Sequence, residues 1–210
     1  MSTKNTSKES EVVMATGEQV EHIMDMWRRR LNSRKLTLAE AQHIIQNGGQ
    51  YLPIMDKAAD VLVDQVRSDT QNTIIRMVRN VQRNRSAEQA INATGRTKYV
   101  DSSVLASMPV GSGPEEVELV YFKLGRYVGN EELEREYDVR GLRPDPQAQS
   151  ADNEGDPSFA DDHPNGCLWG RDGRVASFVA FGRWFGGREV SVDRVDCGWF
   201  GRWWFAGVRK

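Results

Sequence analysis

Four side chains at every second position, Asp152, Glu154, Asp156 and Ser158, have the oxygen spacing that a calcium loop uses. Two details argue against such a loop. Pro157 stands where the turn needs glycine, and His163 stands where a bidentate glutamate closes the coordination sphere. His163, Cys167 and Cys197 are the soft ligands of the same region, but they lack the paired spacing of a structural zinc site. The reading is therefore no metal and no cofactor. Cys167 and His163 have the types of a thiol nucleophile and its base, yet a catalytic cysteine usually takes its histidine from elsewhere in the fold. His22 and His43 fall in helical segments. Neither G-x-S-x-G nor a Walker loop occurs, and no G-x-G-x-x-G follows a strand. Catalytic residues are unknown on this reading, which leans away from an enzyme.

Binding chemistry is better represented. Residues 67–98 hold seven Lys/Arg against two acidic residues, and Arg28, Arg29, Arg30, Arg34 and Lys35 form a second cluster. If residues 70–84 are a helix, Arg76, Arg79 and Arg83 project together opposite Ile74 and Val78. The guanidinium fork suits phosphate, and a line of such groups releases counterions on docking to a nucleic-acid backbone. Arg28, Arg29, Arg30, Arg76, Arg79 and Arg83 are thus the candidate polyanion contacts, weighed against the solvated face that amphipathic helices ordinarily show.

The third constellation is aromatic. Five of the six tryptophans lie in the last 42 positions, beside Phe178, Phe181, Phe185, Phe200 and Phe205. Strand alternation over 199–206 places Trp199, Trp203 and Phe205 on one face. Covered, that face is core. Uncovered, Trp184, Trp199 and Trp203 with the nearby arginines form a platform for bases or a planar cation.

The elements that must position these groups follow from pattern and caps. Thr16 with Gln19, and Thr37 with Glu40, are capping boxes. They open helices over about 17–33, with Val20, Ile23, Met24, Trp27 and Leu31 on one face, and about 38–47, stopped by Gly48-Gly49. Pro53 suits the first turn of a third helix carrying Ile54, Ala58, Val61, Leu62 and Val66. A fourth spans 70–84, and Ser86 with Gln89 caps a short fifth. Residues 116–124 read as a strand, and Asn130 caps an acidic helix ending at Gly141. Residues 145–166 read as acidic loop with at most one helical turn. Asp172-Gly173 and Gly186-Gly187 mark hairpin turns around 175–184 and 188–195, before a last strand over 199–206.

The expected fold is α+β: an N-terminal helical bundle followed by a C-terminal α+β unit with a small antiparallel β-meander. Its divisions are a disordered leader over 1–15, a basic helical domain over 16–95, a linker over 96–114 and the Trp/Gly-rich domain over 115–210. Net charge is -2, but it runs +4 over 1–100, -10 over 101–170 and +4 over 171–210. With no signal-peptide core, no membrane-spanning run and two cysteines, the expected location is cytoplasmic. The functional expectation is a non-enzymatic binding protein that contacts nucleic acid or another polyanion through its basic helices. Its rival is a protein-protein interaction or self-association module using the helical bundle or the aromatic sheet face, and a third alternative is a hydrolytic enzyme using the acidic loop.

Overall fold

The computed structural model describes residues 15–184 and 186–210. The expected leader, except its last residue, and Phe185 lie outside the described residues. Those described form eight helices and one eight-stranded mixed sheet, an α+β architecture. The chain divides into two compact units, up to Leu62 and from Val63 onward.

The first unit opens as the sequence predicts. Thr16 and Thr37 both close reciprocal capping boxes, and they start α1 (Gly17–Ser33) and α2 (Leu38–Gln46). Gly48-Gly49 does not stop α2. Asn47 does so by donating its side-chain amide to the His43 carbonyl at 2.9 Å, and the glycines begin α3 (Gly48–Gln71), which contains Pro53. None of these three helices contains a buried residue.

Beyond α3 the expected helix over 70–84 is instead a strand, β1 (Thr73–Val78). Thr73, Ile74 and Ile75 are β-branched in succession, which suits a pleated surface. Ile74 and Val78 fit a helical stripe and an alternating one equally well. Long-range pairing decides between them, because β1 lies antiparallel on β3 from Thr73–Phe122 to Val78–Val117. The segment expected as linker, 96–114, carries β2 (Thr97–Val100) and α5 (Ser102–Ala106), after α4 (Ala87–Ala93) on its Ser86 capping box.

The sheet is larger than a meander, and it is not wholly antiparallel. β3 (Val117–Lys123), β5 (Asn165–Asp172), β6 (Val175–Trp184), β7 (Gly187–Val195) and β8 (Trp204–Arg209) complete the order β1-β3-β8-β5-β6-β7-β2. β5, β6 and β7 do form the expected antiparallel run. However, β2 joins β7 in parallel, and β8 leaves the hairpins to insert between β3 and β5. β4 (Leu142–Pro144) extends the pairing on β8. Short loops bias local hairpins, but β3 and β8 bury complementary apolar faces across the chain, a preference that periodicity does not report.

Helices cover both faces. α6 (Asn130–Val139) packs Leu133 and Tyr137 over Phe122 and Phe205 on one side. On the other, Ala148 of α7 (Pro146–Gly155) meets Leu119, Tyr121 and Ala206, while α4, α5 and α8 (Phe159–Asp162) cover Val179, Phe181 and Val192. The residues expected as acidic loop are therefore two helices. α7 lacks an apolar stripe because its buried side is polar: Gln147, Gln149, Ser150, Asp152 and Asn153 are all buried. It starts at Pro146, with the Asp145 side chain accepting from Ala148 N at 2.9 Å. Asp145 also receives both arms of Arg83 at 2.9 Å, and that pair is 4% and 10% exposed at its side chains. Removing the carboxylate strands a buried guanidinium and an open helix end. Asp145→Ala is expected to lower stability by about 3–5 kcal/mol, read from the urea midpoint at unchanged m-value.

Candidate interaction surfaces

Arg76, Arg79 and Arg83 do not form a line on a helix. Arg76 sits on β1, where Nε donates to Asp152 at 2.9 Å and a terminal nitrogen donates to Asp156 at 3.0 Å. Its guanidinium lies 4.3 Å over the Phe159 ring. Asp152 also accepts from the buried Tyr121 hydroxyl at 2.8 Å. Burial and the adjacent carboxylate push the Tyr121 pKa well above its ordinary value. Arg83 is consumed by Asp145 and by the Pro114 carbonyl at 3.0 Å. Arg79 is 81% exposed at its side chain, 4.0 Å from Glu116. Arg28 and Arg29 stand on α1, both bonded to Asp25, and Arg30 is exposed there. The partners of the C-terminal arginines come from the -10 segment. Basic and acidic stretches of one chain had complementary charge, and that complementarity was the available signal of their pairing.

The calcium-like spacing is dispersed by the same contacts. Asp152 faces the sheet, Glu154 pairs with Arg85 and Asp156 turns its Oδ1 to Ser158. No group of three or more His, Cys, Asp or Glu among the described residues could hold a metal. His163 stacks on Phe159 at 4.7 Å and meets the edge of Trp204. Cys167 is buried with Val179 and Phe181, and desolvation raises its thiol pKa well above the ordinary value, the opposite of an activated nucleophile. Cys197 is exposed.

Trp184, Trp199 and Trp203 are brought together, though not by one strand. Residues 199–203 precede β8 as a turn, so the alternation expected over 199–206 fails and Trp199 enters the core by another route. The Val128–Trp199 bridge pulls the turn against residues 125–128 so closely that a Cβ on Gly198 would lie 2.2 Å from the Val128 carbonyl. Trp199, 5% exposed, is ringed by Phe178, Trp203 and Phe205 at 5.2–5.6 Å. Trp184 lies 5.9 Å from Trp203, over Gly182, where a Cβ would strike its ring at 2.6 Å. Trp184 and Trp203 are half-buried. The surface left open beside them is the edge-on pair of Tyr127 and Phe200.

Asn130, expected as a helix cap, serves this cluster instead. Its carboxamide accepts from Trp199 Nε1 at 2.9 Å and donates to the carbonyls of Arg174 and Val195 at 2.8 and 2.7 Å. Asn130→Ala removes all three bonds. We expect a loss of about 1–3 kcal/mol and a red-shifted tryptophan emission as water reaches Trp199.

Most of the exposed large apolar side chains lie elsewhere. Of the 23 large apolar side chains exposed among the described residues, 16 lie between Val20 and Val66 on or beside α1, α2 and α3. The sequence marks those stripes clearly, and the structure leaves no residue of the three helices buried. No family model matches this chain, and no curated protein or solved structure matches it.

Surface charge pairs in the C-terminal unit set an acid limit. Arg188 grips Asp161 with bonds of 2.8–3.1 Å, and these hold the Asp161 carboxyl below its ordinary pKa. Ser158, then Arg76, do the same for Asp156. A folded-state pKa below the unfolded one means stability that is present above the unfolded value and lost as pH falls through the folded value. Stability should therefore decline from about pH 5 towards pH 2. In Arg188→Ala the decline should be shallower, and the Asp161 carboxyl, followed by NMR, should titrate nearer its ordinary range.

Proposed function

We propose that this chain is a non-enzymatic protein-association module that self-associates through its N-terminal helices. One observation carries the reading: α1, α2 and α3 present regular apolar stripes and contain no buried residue. An amphipathic helix is stabilised in water mainly by packing its apolar face, and short helices left unpacked are marginal. An exposed apolar area of this extent marks an interaction surface. A helical bundle, the expected form of this unit, is then completed between copies rather than within one. The two free cysteines suit a reducing compartment, and the cytoplasm is the proposed location.

Nucleic-acid or other polyanion contact is the second reading, and its exposed groups are Arg28, Arg29, Arg30 and Arg79. A platform role for Trp184, Trp199 and Trp203 is less favoured, since Trp199 is core and the other two are half-covered.

Sedimentation of the full chain across the micromolar range tests the first reading. The wild type should run above its 23.8 kDa monomer mass. Met24→Glu combined with Trp27→Glu should run as a monomer, with the thermal transition of the C-terminal unit unchanged. A wild type that stays monomeric, or a variant that sediments like it, would sink the proposal. Salt-sensitive binding of labelled RNA or DNA by such a monomer would favour the second reading.

A further inference from the structure

We infer that α1 pairs with α1 of a second copy in antiparallel orientation, with the twofold axis passing between Met24 and Trp27. This rests on the self-association reading and adds which helix makes the contact and in which direction. Val20, Met24, Trp27 and Leu31 are separated by four, three and four residues, the alternation of a coiled-coil seam. All four are exposed, at 47%, 53%, 39% and 51%. A twofold contact uses the same patch on both copies. About that axis Met24 meets Trp27 of the second copy, and Val20 meets Leu31. The seam is thereby closed on itself, with the one aromatic anchor next to its centre.

Charge chooses the direction. Glu18, Glu21 and Asp25 occupy the first half of α1, whereas Arg28, Arg29 and Arg30, followed by Arg34 and Lys35, occupy its end. In the antiparallel arrangement Glu21 and Arg28 flank the seam at equivalent heptad positions, so Glu21 of each copy stands beside Arg28 of the other, twice by symmetry. The bond from Arg28 to Asp25 does not prevent this, since the Arg28 side chain is 67% exposed and the bond is 3.2 Å on the helix surface. In a parallel arrangement the flanking partners of Glu21 and Arg28 become Thr16 and Ile23 of the other copy, and the basic ends of the two helices lie side by side. That alignment loses both opposite-charge contacts and brings ends of like sign together.

Charge exchange on the full chain tests the direction, with dissociation constants read by sedimentation equilibrium at low salt and helicity checked by circular dichroism. Glu21→Arg replaces both attractive contacts by repulsive ones and should weaken association roughly tenfold, as should Arg28→Glu. The double variant E21R/R28E restores opposite signs across the antiparallel contact and should recover to within about threefold of the wild type. Singles without effect, or a double variant no better than the singles, would overturn the antiparallel α1 contact. If the seam variant with Met24→Glu and Trp27→Glu still abolished association, the self-association reading would survive that result. A wild type that is monomeric throughout would overturn both.

Discussion

The C-terminal unit depends on a helix that lies on its sheet through charge and amide hydrogen bonds more than through hydrocarbon. α7 offers the sheet Ala148 and little other apolar surface, yet its buried side reaches in every direction. Asp145 takes Arg83, Asp152 takes Arg76 and Tyr121, and Glu154 takes Arg85. Gln147 donates to the carbonyls of Gln82 and Arg85 and accepts from Gly111 N, which fixes the two loops beside it. Gln149 and Asn153 both donate to the Asn165 side chain at the start of β5. A buried ion pair adds little net stability over an apolar pair of the same shape, but one broken partner is expensive. The arrangement therefore specifies one alignment of α7 more than it deepens the energy minimum. It also explains why Arg76 and Arg83 are poor candidates for an external phosphate: each would first have to leave a carboxylate that the fold cannot leave alone.

The same helix shows where the sequence was legible and where it was not. Signals confined to one turn of chain were readable. Thr16, Thr37 and Ser86 cap as their spacing implies, and Asp172-Gly173 turns a hairpin. Signals that depend on a distant partner were ambiguous. Ile74 and Val78 satisfy either period, and β3 decides the matter. α7 was illegible because its periodicity is one of Gln, Ser, Asp and Asn, which a hydrophobic stripe search reads as loop. Its caps, Asp145 and Pro146, were in plain view. At the C-terminus the density of tryptophan marks a cluster, but a single strand over 199–206 is not what forms it. Gly198 and Gly201 allow backbone approach too close for any Cβ, and that approach turns the chain before β8 begins.

These two kinds of satisfied group sharpen the contrast with α1, α2 and α3. In the C-terminal unit Arg96 Nε and Gln149 Oε1 are buried without a partner, but other awkward groups find one: a tryptophan indole finds Asn130, and a tyrosine hydroxyl on α6 finds the Ala206 carbonyl. In the N-terminal helices local polar contacts are made too, with both capping boxes closed and Asp25 bonded to two arginines. What is left undone there is wholly apolar. Local rules of helix formation have been met, while the burial that makes a helix worth forming in water has not. A sequence in which caps, propensity and stripe agree is consistent with a helix designed to pack. On the self-association proposed above, the missing element is a surface of matching stripe and opposite charge order, which a reversed copy of α1 would supply.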